Sequence, residues 1–196
     1  MIKLQLIIRY LKYFLTAKGK HSAQAPFLYH FITKVLNANK EGENCKKIEA
    51  LRKELCKSEQ IIQITDFGAG SSINNQKERK IKDVAKNSAK NAKSGQLLYR
   101  ICKFYKPQKI IELGTSLGIS TCYLAKANTN ANIFTLEGCP ETAEIARENF
   151  NNLNLENINI TLGNFNNTLT SKLEEVGKVD LAFIDGNHQE KPTIKY

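Results

Sequence analysis

The chain predicts an α/β fold: a parallel sheet covered by helices, with a basic, mainly helical extension ahead of it. Three observations in its 196 residues carry this reading. From residue 94 onward, short apolar runs alternate strictly with segments of helical periodicity, the pattern of parallel strands joined by right-handed crossovers. A turn carrying Gly114 and Gly118 joins the first of those runs to the helix behind it, the place where open α/β sheets bind ligands. Charge divides the chain as well. Residues 1–109 hold 23 Lys or Arg against 8 Asp or Glu, whereas residues 110–196 hold 6 against 11.

Composition bounds the possibilities further. Hydrophobic residues make up 41% and charged residues 24%, which suits a packed core and excludes a wholly disordered chain. The most apolar stretch, residues 4–15, is broken by Arg9 and Lys12 and lacks a small-residue cleavage site of secretory type. No membrane partner is therefore expected. Cys45, Cys56, Cys102, Cys122 and Cys139 are odd in number and form no CxxC pair, so reduced thiols in a cytoplasm are expected, not a disulfide framework or zinc site. The net charge of +10 suits either a solvated lysine-rich surface or a grip on an anionic partner such as nucleic acid. With 24 lysines to 5 arginines, the solvated surface is favoured, because phosphate and base readout leans on arginine forks.

The elements follow in chain order. Leu4, Ile7, Ile8, Leu11, Phe14 and Leu15 recur at helical spacing. Pro26 suits the first turn of a second helix reaching Leu36. Cys45, Ile48, Leu51 and Leu55 mark a third, and residues 61–67 alternate as a short strand. Residues 76–91 are basic, with Ile81, Val84 and Ala85 as the only apolar face of a weakly anchored helix. Ser94 can cap the next helix, whose apolar face is Leu97, Leu98, Ile101, Cys102 and Tyr105, and which Lys106 and Pro107 end. Strands are expected at 109–114, 132–137, 157–162 and 179–185, with helices at 118–127, 140–153 and 168–176 between them. This gives two regions, a helical extension over 1–93 and a sheet domain over 94–196.

The chemistry concentrates at the ends of those strands. The turn after the first strand lacks the glycines of a dinucleotide fingerprint, since Ser116 and Ile119 stand where it needs them, and no GK[ST] of a phosphate loop follows. Glu112 beside the turn would oppose a pyrophosphate and suits a positively charged ligand such as S-adenosylmethionine. Glu137, 25 residues on at the end of the second strand, can accept hydrogen bonds from both hydroxyls of a ribose; the alternative is a simple helix-start charge ahead of Pro140. Asn164 and Phe165 after the third strand can bond and stack on adenine, or serve only as loop and core. The fourth strand leads to Asp185 and His188 over the same rim, His188 being a base, a metal neighbour or a surface residue. His21 and His30 read as structural. Asp66 to Ser72 mimics a glycine loop but has no acid 20 to 25 residues on, so it reads as a tight turn or a lid.

On Gly95-Gln96-Leu97-Leu98, Glu112-Leu113-Gly114, Gly118-Ile119-Ser120 and Asp185-Gly186-Asn187-His188, about half the chain resembles the class I S-adenosylmethionine-dependent methyltransferases, in their small-molecule O-methyltransferase branch. The resemblance implies a Rossmann-like methyltransferase sheet. It assigns the turn from Gly114 through Thr115 and Ser116 to Gly118 to the methionyl part of the cofactor and Glu137 to its ribose, with Ser120, Gly138 and Asp185 also among the cofactor contacts. It also implies that Asp185 and His188 act on a small-molecule acceptor, and that Asp185 matches a metal ligand of metal-dependent relatives. The remaining ligands of those relatives come from further along the chain, so a divalent metal site is not complete here.

The family's sheet is also longer than four strands, so the sheet is expected to be incomplete at its C-terminal side. Either the natural protein continues past Tyr196 or a partner chain covers the open edge. The extension is expected to help form the acceptor site or a homodimer contact. Two other readings remain: an RNA-directed methyltransferase gripping its substrate with residues 76–109, and a non-catalytic nucleoside-binding protein.

Overall fold

The computed structural model describes residues 2–16, 26–38, 42–65, 78–87, 89–187 and 190–196. It divides into two compact units, Met1–Asn39 and Lys40–Tyr196. The first contains α1 (Ile2–Thr16) and α2 (Pro26–His30), which runs on into a π-helical stretch, Phe31–Leu36. The second contains α3 (Gly42–Leu55), β1 (Ile61–Gln63), β2 (Glu78–Lys80), α4 (Ile81–Asn87) and α5 (Ala92–Tyr105). There follow β3 (Lys109–Leu113), α6 (Ile119–Ala127), β4 (Asn132–Glu137), α7 (Pro140–Asn152), β5 (Ile158–Leu162), α8 (Phe165–Val176), β6 (Leu181–Ile184) and α9 (Glu190–Lys195). The expected division at residue 93 falls inside the second unit.

The main sheet is parallel, in the order β5-β4-β3-β6, with Ile111 opposite both Phe134 and Ala182. The chain therefore builds outward from β3 through β4 to β5 and then crosses to the other side of β3. In open sheets of this kind the place of such a reversal, here beyond the carboxyl ends of β3 and β6, is the crevice where ligands bind. Alternation along β3 sorts its side chains. Ile111 and Leu113 join Leu136 and Leu169 on one face, while Ile110 joins the larger core with Ile48, Cys102, Leu124 and Ile133 on the other. Glu112, two residues from Ile110, falls on the side of the larger core.

Three local expectations change. Residues 78–80 are a strand, paired antiparallel with β1 so that Arg79 sits opposite the buried Ile62. The helix behind them, α4, is firmly anchored, because Ile81, Val84 and Ala85 are buried in the larger core. Asn91, not Ser94, caps α5: its side chain accepts the Ser94 amide at 2.9 Å, the geometry of an N-cap reaching the third residue of its helix. The buried face of α5 is Gly95, Gln96, Tyr99 and Cys102, and Tyr105 is exposed. Gly95 causes this rotation, since its missing side chain lets the Tyr123 ring of α6 lie against the backbone. At the far end Lys106 takes a left-handed φ of 50° and donates its amide to Cys102, closing the helix before Pro107.

Candidate functional site

The ends of three strands are laced together by main chain. Gly114 and Thr115 both donate to the Leu136 carbonyl, at 2.9 and 3.3 Å, and Asp185 donates to the Leu113 carbonyl at 2.9 Å. Gly114 has φ +100°, and a Cβ there would lie 2.8 Å from the Asp185 carbonyl oxygen. The absent side chain thus makes room for the turn after β6. Gly118 (φ +78°) lets the start of α6 seat against the Phe150 ring of α7, 2.5 Å from where a Cβ would stand. Asn149 of α7 holds the same turn by donating to the Leu117 carbonyl at 2.9 Å.

Glu137 closes the rim. One carboxylate oxygen accepts the Ser116 amide at 2.7 Å and the other the Cys139 amide at 2.9 Å. The carboxylate and the glycine turn therefore meet at one rim of the sheet, and Gly138 lies between Glu137 and Cys139. Ser116 reaches this position with φ +50°.

Below the rim lies a buried polar network that sequence reading did not foresee. Thr115 and Thr135 share a hydroxyl hydrogen bond of 2.6 Å, and Thr135 and Thr121 donate to the same oxygen of Glu112 at 2.7 and 2.5 Å. Glu112 is fully buried, and its other oxygen has no well-aligned partner among the described residues. Burial pushes its carboxyl up to about 7, against the pull of the Thr121, Ser120 and Thr135 hydroxyls. Thr115 and Ser120, read as cofactor contacts, are both buried, Thr115 in this network and Ser120 in the first turn of α6.

At the end of β6, Asp185 accepts a hydrogen bond from Lys90 at 2.7 Å, in a pair that is partly buried. The Lys90 ammonium also stands 5.9 Å from the centre of the Phe183 ring. Sequence reading placed Lys90 only within a basic stretch. Nothing local distinguishes it from its neighbours, because its partner is 95 residues away. Asn164 caps α8 by accepting the Asn166 amide at 2.9 Å. Phe165 packs edge-on against Tyr196, with centroids 5.9 Å apart, and against Gly186 of the β6 turn. His188 and the glycine run 66–72 lie outside the described residues. The chain leading to that run is anchored beside the rim, for the Gln63 amide donates to Glu141 at 2.7 Å and the Thr65 amide approaches the Cys139 sulfur at 3.4 Å. Among the described residues, no group of three or more His, Cys, Asp or Glu side chains could hold a metal ion.

Residues 111–196 match a family model described as a methyltransferase domain. The chain is similar to a catechol O-methyltransferase of Niastella koreensis, at 35% identity over 95 residues that cover 47% of this chain and 42% of the relative. It thus spans less than half the length of that curated relative. Among solved structures it is similar to the O-methyltransferase TomG of Streptomyces achromogenes in complex with S-adenosylmethionine. There the identity is 25% and the TM-score 0.52, over 56% of this chain and 50% of that one. A methyltransferase of Podospora anserina, PaMTH1, shares the fold with a TM-score of 0.55 at 20% identity, over 79% of this chain and 55% of that one.

Proposed function

We propose that this chain, whose residues 111–196 match a family model described as a methyltransferase domain, binds S-adenosylmethionine at the β3–β4–β6 rim, as part of an enzyme that methylates a small molecule, on oxygen in the first instance. The observation that carries the reading is the contact between Glu137 and Ser116, which unites the acidic strand end and the glycine turn in one edge. A carboxylate offers about four lone-pair directions. Two of Glu137's are used by main-chain amides, so the rest can accept ribose hydroxyls from a carboxylate already fixed in place.

The cofactor supplies an electrophilic methyl group on a sulfonium that is already a good leaving group. The residues around it orient and shield. The turn from Gly114 to Gly118 holds the methionyl end with its main chain. Glu112 beneath it favours a cationic ligand, and such a ligand would draw the Glu112 carboxyl toward its ionised form. Asn164 and Phe165 border the adenine side. Asp185, held by Lys90 at the β6 end, and His188, three residues on in the sequence, are the groups that position the acceptor and take its proton. If a divalent cation takes part, Asp185 is the carboxylate of this chain best placed to meet it. A reducing compartment such as the cytoplasm suits the five cysteines, all of them free thiols.

The test is calorimetric titration with S-adenosylmethionine and with S-adenosylhomocysteine, followed by a methyl-transfer assay on catechol with and without magnesium. Saturable binding of both ligands is expected. Binding of neither overturns the proposal.

A further inference from the structure

Helix α1 presents an exposed apolar surface. We propose that α1 is an interfacial helix that docks this protein onto an anionic lipid bilayer. Every residue from Leu4 to Thr16 is exposed, including Leu4 at 63%, Phe14 at 68% and Leu15 at 82%. At 3.6 residues per turn, Leu4, Ile7, Ile8, Leu11, Phe14 and Leu15 fall within one sector of about 120°. Gln5, Arg9, Lys12 and Thr16 share another sector, and Leu6, Tyr10 and Tyr13 lie between the two on the remaining side. An apolar stripe bordered by tyrosine and backed by basic residues is the pattern of a helix lying at the headgroup level.

Charge selects the occupant. Residues 1–39 contain Lys3, Arg9, Lys12, Lys18, Lys20 and Lys34 and no Asp or Glu. A second copy of α1 on this face would cover the stripe but leave the basic residues without a partner, since residues 1–39 hold no carboxylate. A nucleic acid would leave the apolar stripe in water. An anionic bilayer satisfies both features at once, because acyl chains take the stripe and lipid headgroups take the cations. The 15 residues of α1 extend about 22 Å, short of the roughly 30 Å hydrocarbon core, and no described helix is long and apolar enough to cross a membrane. The sequence expectation that the chain has no membrane partner rested on the lack of a spanning segment, which does not bear on surface docking.

The test is co-sedimentation of the full chain with phosphatidylcholine vesicles, with and without phosphatidylglycerol. Binding is expected only to the vesicles containing phosphatidylglycerol, and it should weaken as salt is raised. The exposed double variant Leu11→Glu/Phe14→Glu should weaken it at least about tenfold, and Arg9→Gln/Lys12→Gln severalfold. The thermal melt of the second unit should be the same in all three proteins. Failure to bind either vesicle, or equal binding by Leu11→Glu/Phe14→Glu, overturns the proposal. So does a wild-type dimer that those substitutions dissociate without any vesicle binding, which would assign the face to a second copy. An RNA affinity that Leu11→Glu/Phe14→Glu leaves unchanged, in a chain that ignores vesicles, would overturn it in favour of nucleic acid.

Discussion

The Glu137 carboxylate receives the Ser116 amide at 2.7 Å, joining the end of β4 to the turn that follows β3. Its other oxygen receives the Cys139 amide at 2.9 Å, so one side chain holds the starts of two loops that border the crevice. The carboxylate is thereby oriented before any ligand arrives, and little of its freedom remains to be lost on binding.

Glu112 makes stability depend on pH. An unfolded glutamate ionises near 4.5 and the buried one near 7, so between those values the folded protein binds more protons than the unfolded chain. Stability should fall as pH rises from about 4.5 through about 7 and change no further from this cause, a loss on the order of 3 kcal/mol. Glu112→Gln keeps an acceptor for Thr121 and Thr135 and removes the ionisation. Its melting temperature should therefore fall less between pH about 5 and about 8 than that of the wild type. Parallel pH curves would show that Glu112 is not the group responsible.

Gly95→Ala sets helix propensity against packing. Alanine gains up to about 1 kcal/mol within a helix. Its Cβ would, however, stand 2.1 Å from the Tyr123 ring, and Tyr123 is fully buried. Overpacking of this kind costs about 1–3 kcal/mol, so a net loss of about 1 kcal/mol is expected in chemical denaturation. An unchanged or raised midpoint would mean that Tyr123 moves aside freely.

Asn91→Ala should cost about 1 kcal/mol by removing the cap on α5, whereas Ser94→Ala, which loses only a hydroxyl inside the first turn, should cost less. Thermal melts of the two variants compare them directly. The reverse ranking would restore Ser94 as the cap.

The periodic part of the molecule could be read from the sequence because its signals are local. Residues 132–137 are the β4 strand at both ends, and α7 was missed by one residue, since alternation and Pro140 lie within the elements themselves. The pairing of β1 with β2 was not legible, because the basic residues 78–80 have no apolar alternation and become a strand only through partners 15 to 19 residues away. The candidate site divides in the same way. Glu137 and the glycine turn follow from strand ends and turn chemistry. The burial of Glu112 beneath Thr121 and Thr135, and the reach of Lys90 to Asp185, arise from tertiary packing that no local pattern encodes.

In the proposed function Lys90 acts through Asp185, with which it is paired. Its removal should change stability by no more than about 1 kcal/mol, as the pair is only partly shielded from solvent. Lys90→Met should lower kcat/KM for methyl transfer about tenfold while cofactor affinity stays within about threefold, because Asp185 loses its orientation and the cofactor contacts do not. Lys90→Arg should recover part of the rate. A full rate in Lys90→Met would reduce the pair to a surface contact.

The central claim is that one carboxylate and one glycine turn grip a single nucleoside. Calorimetric titration of wild type and Glu137→Ala with S-adenosylhomocysteine tests it most directly, with Glu156→Ala, a substitution beyond α7, as the control. The account expects Glu137→Ala to lose at least about tenfold in affinity, in keeping with lost charge-assisted hydrogen bonds, and the control to bind as the wild type does. Equal affinity in all three proteins would contradict it.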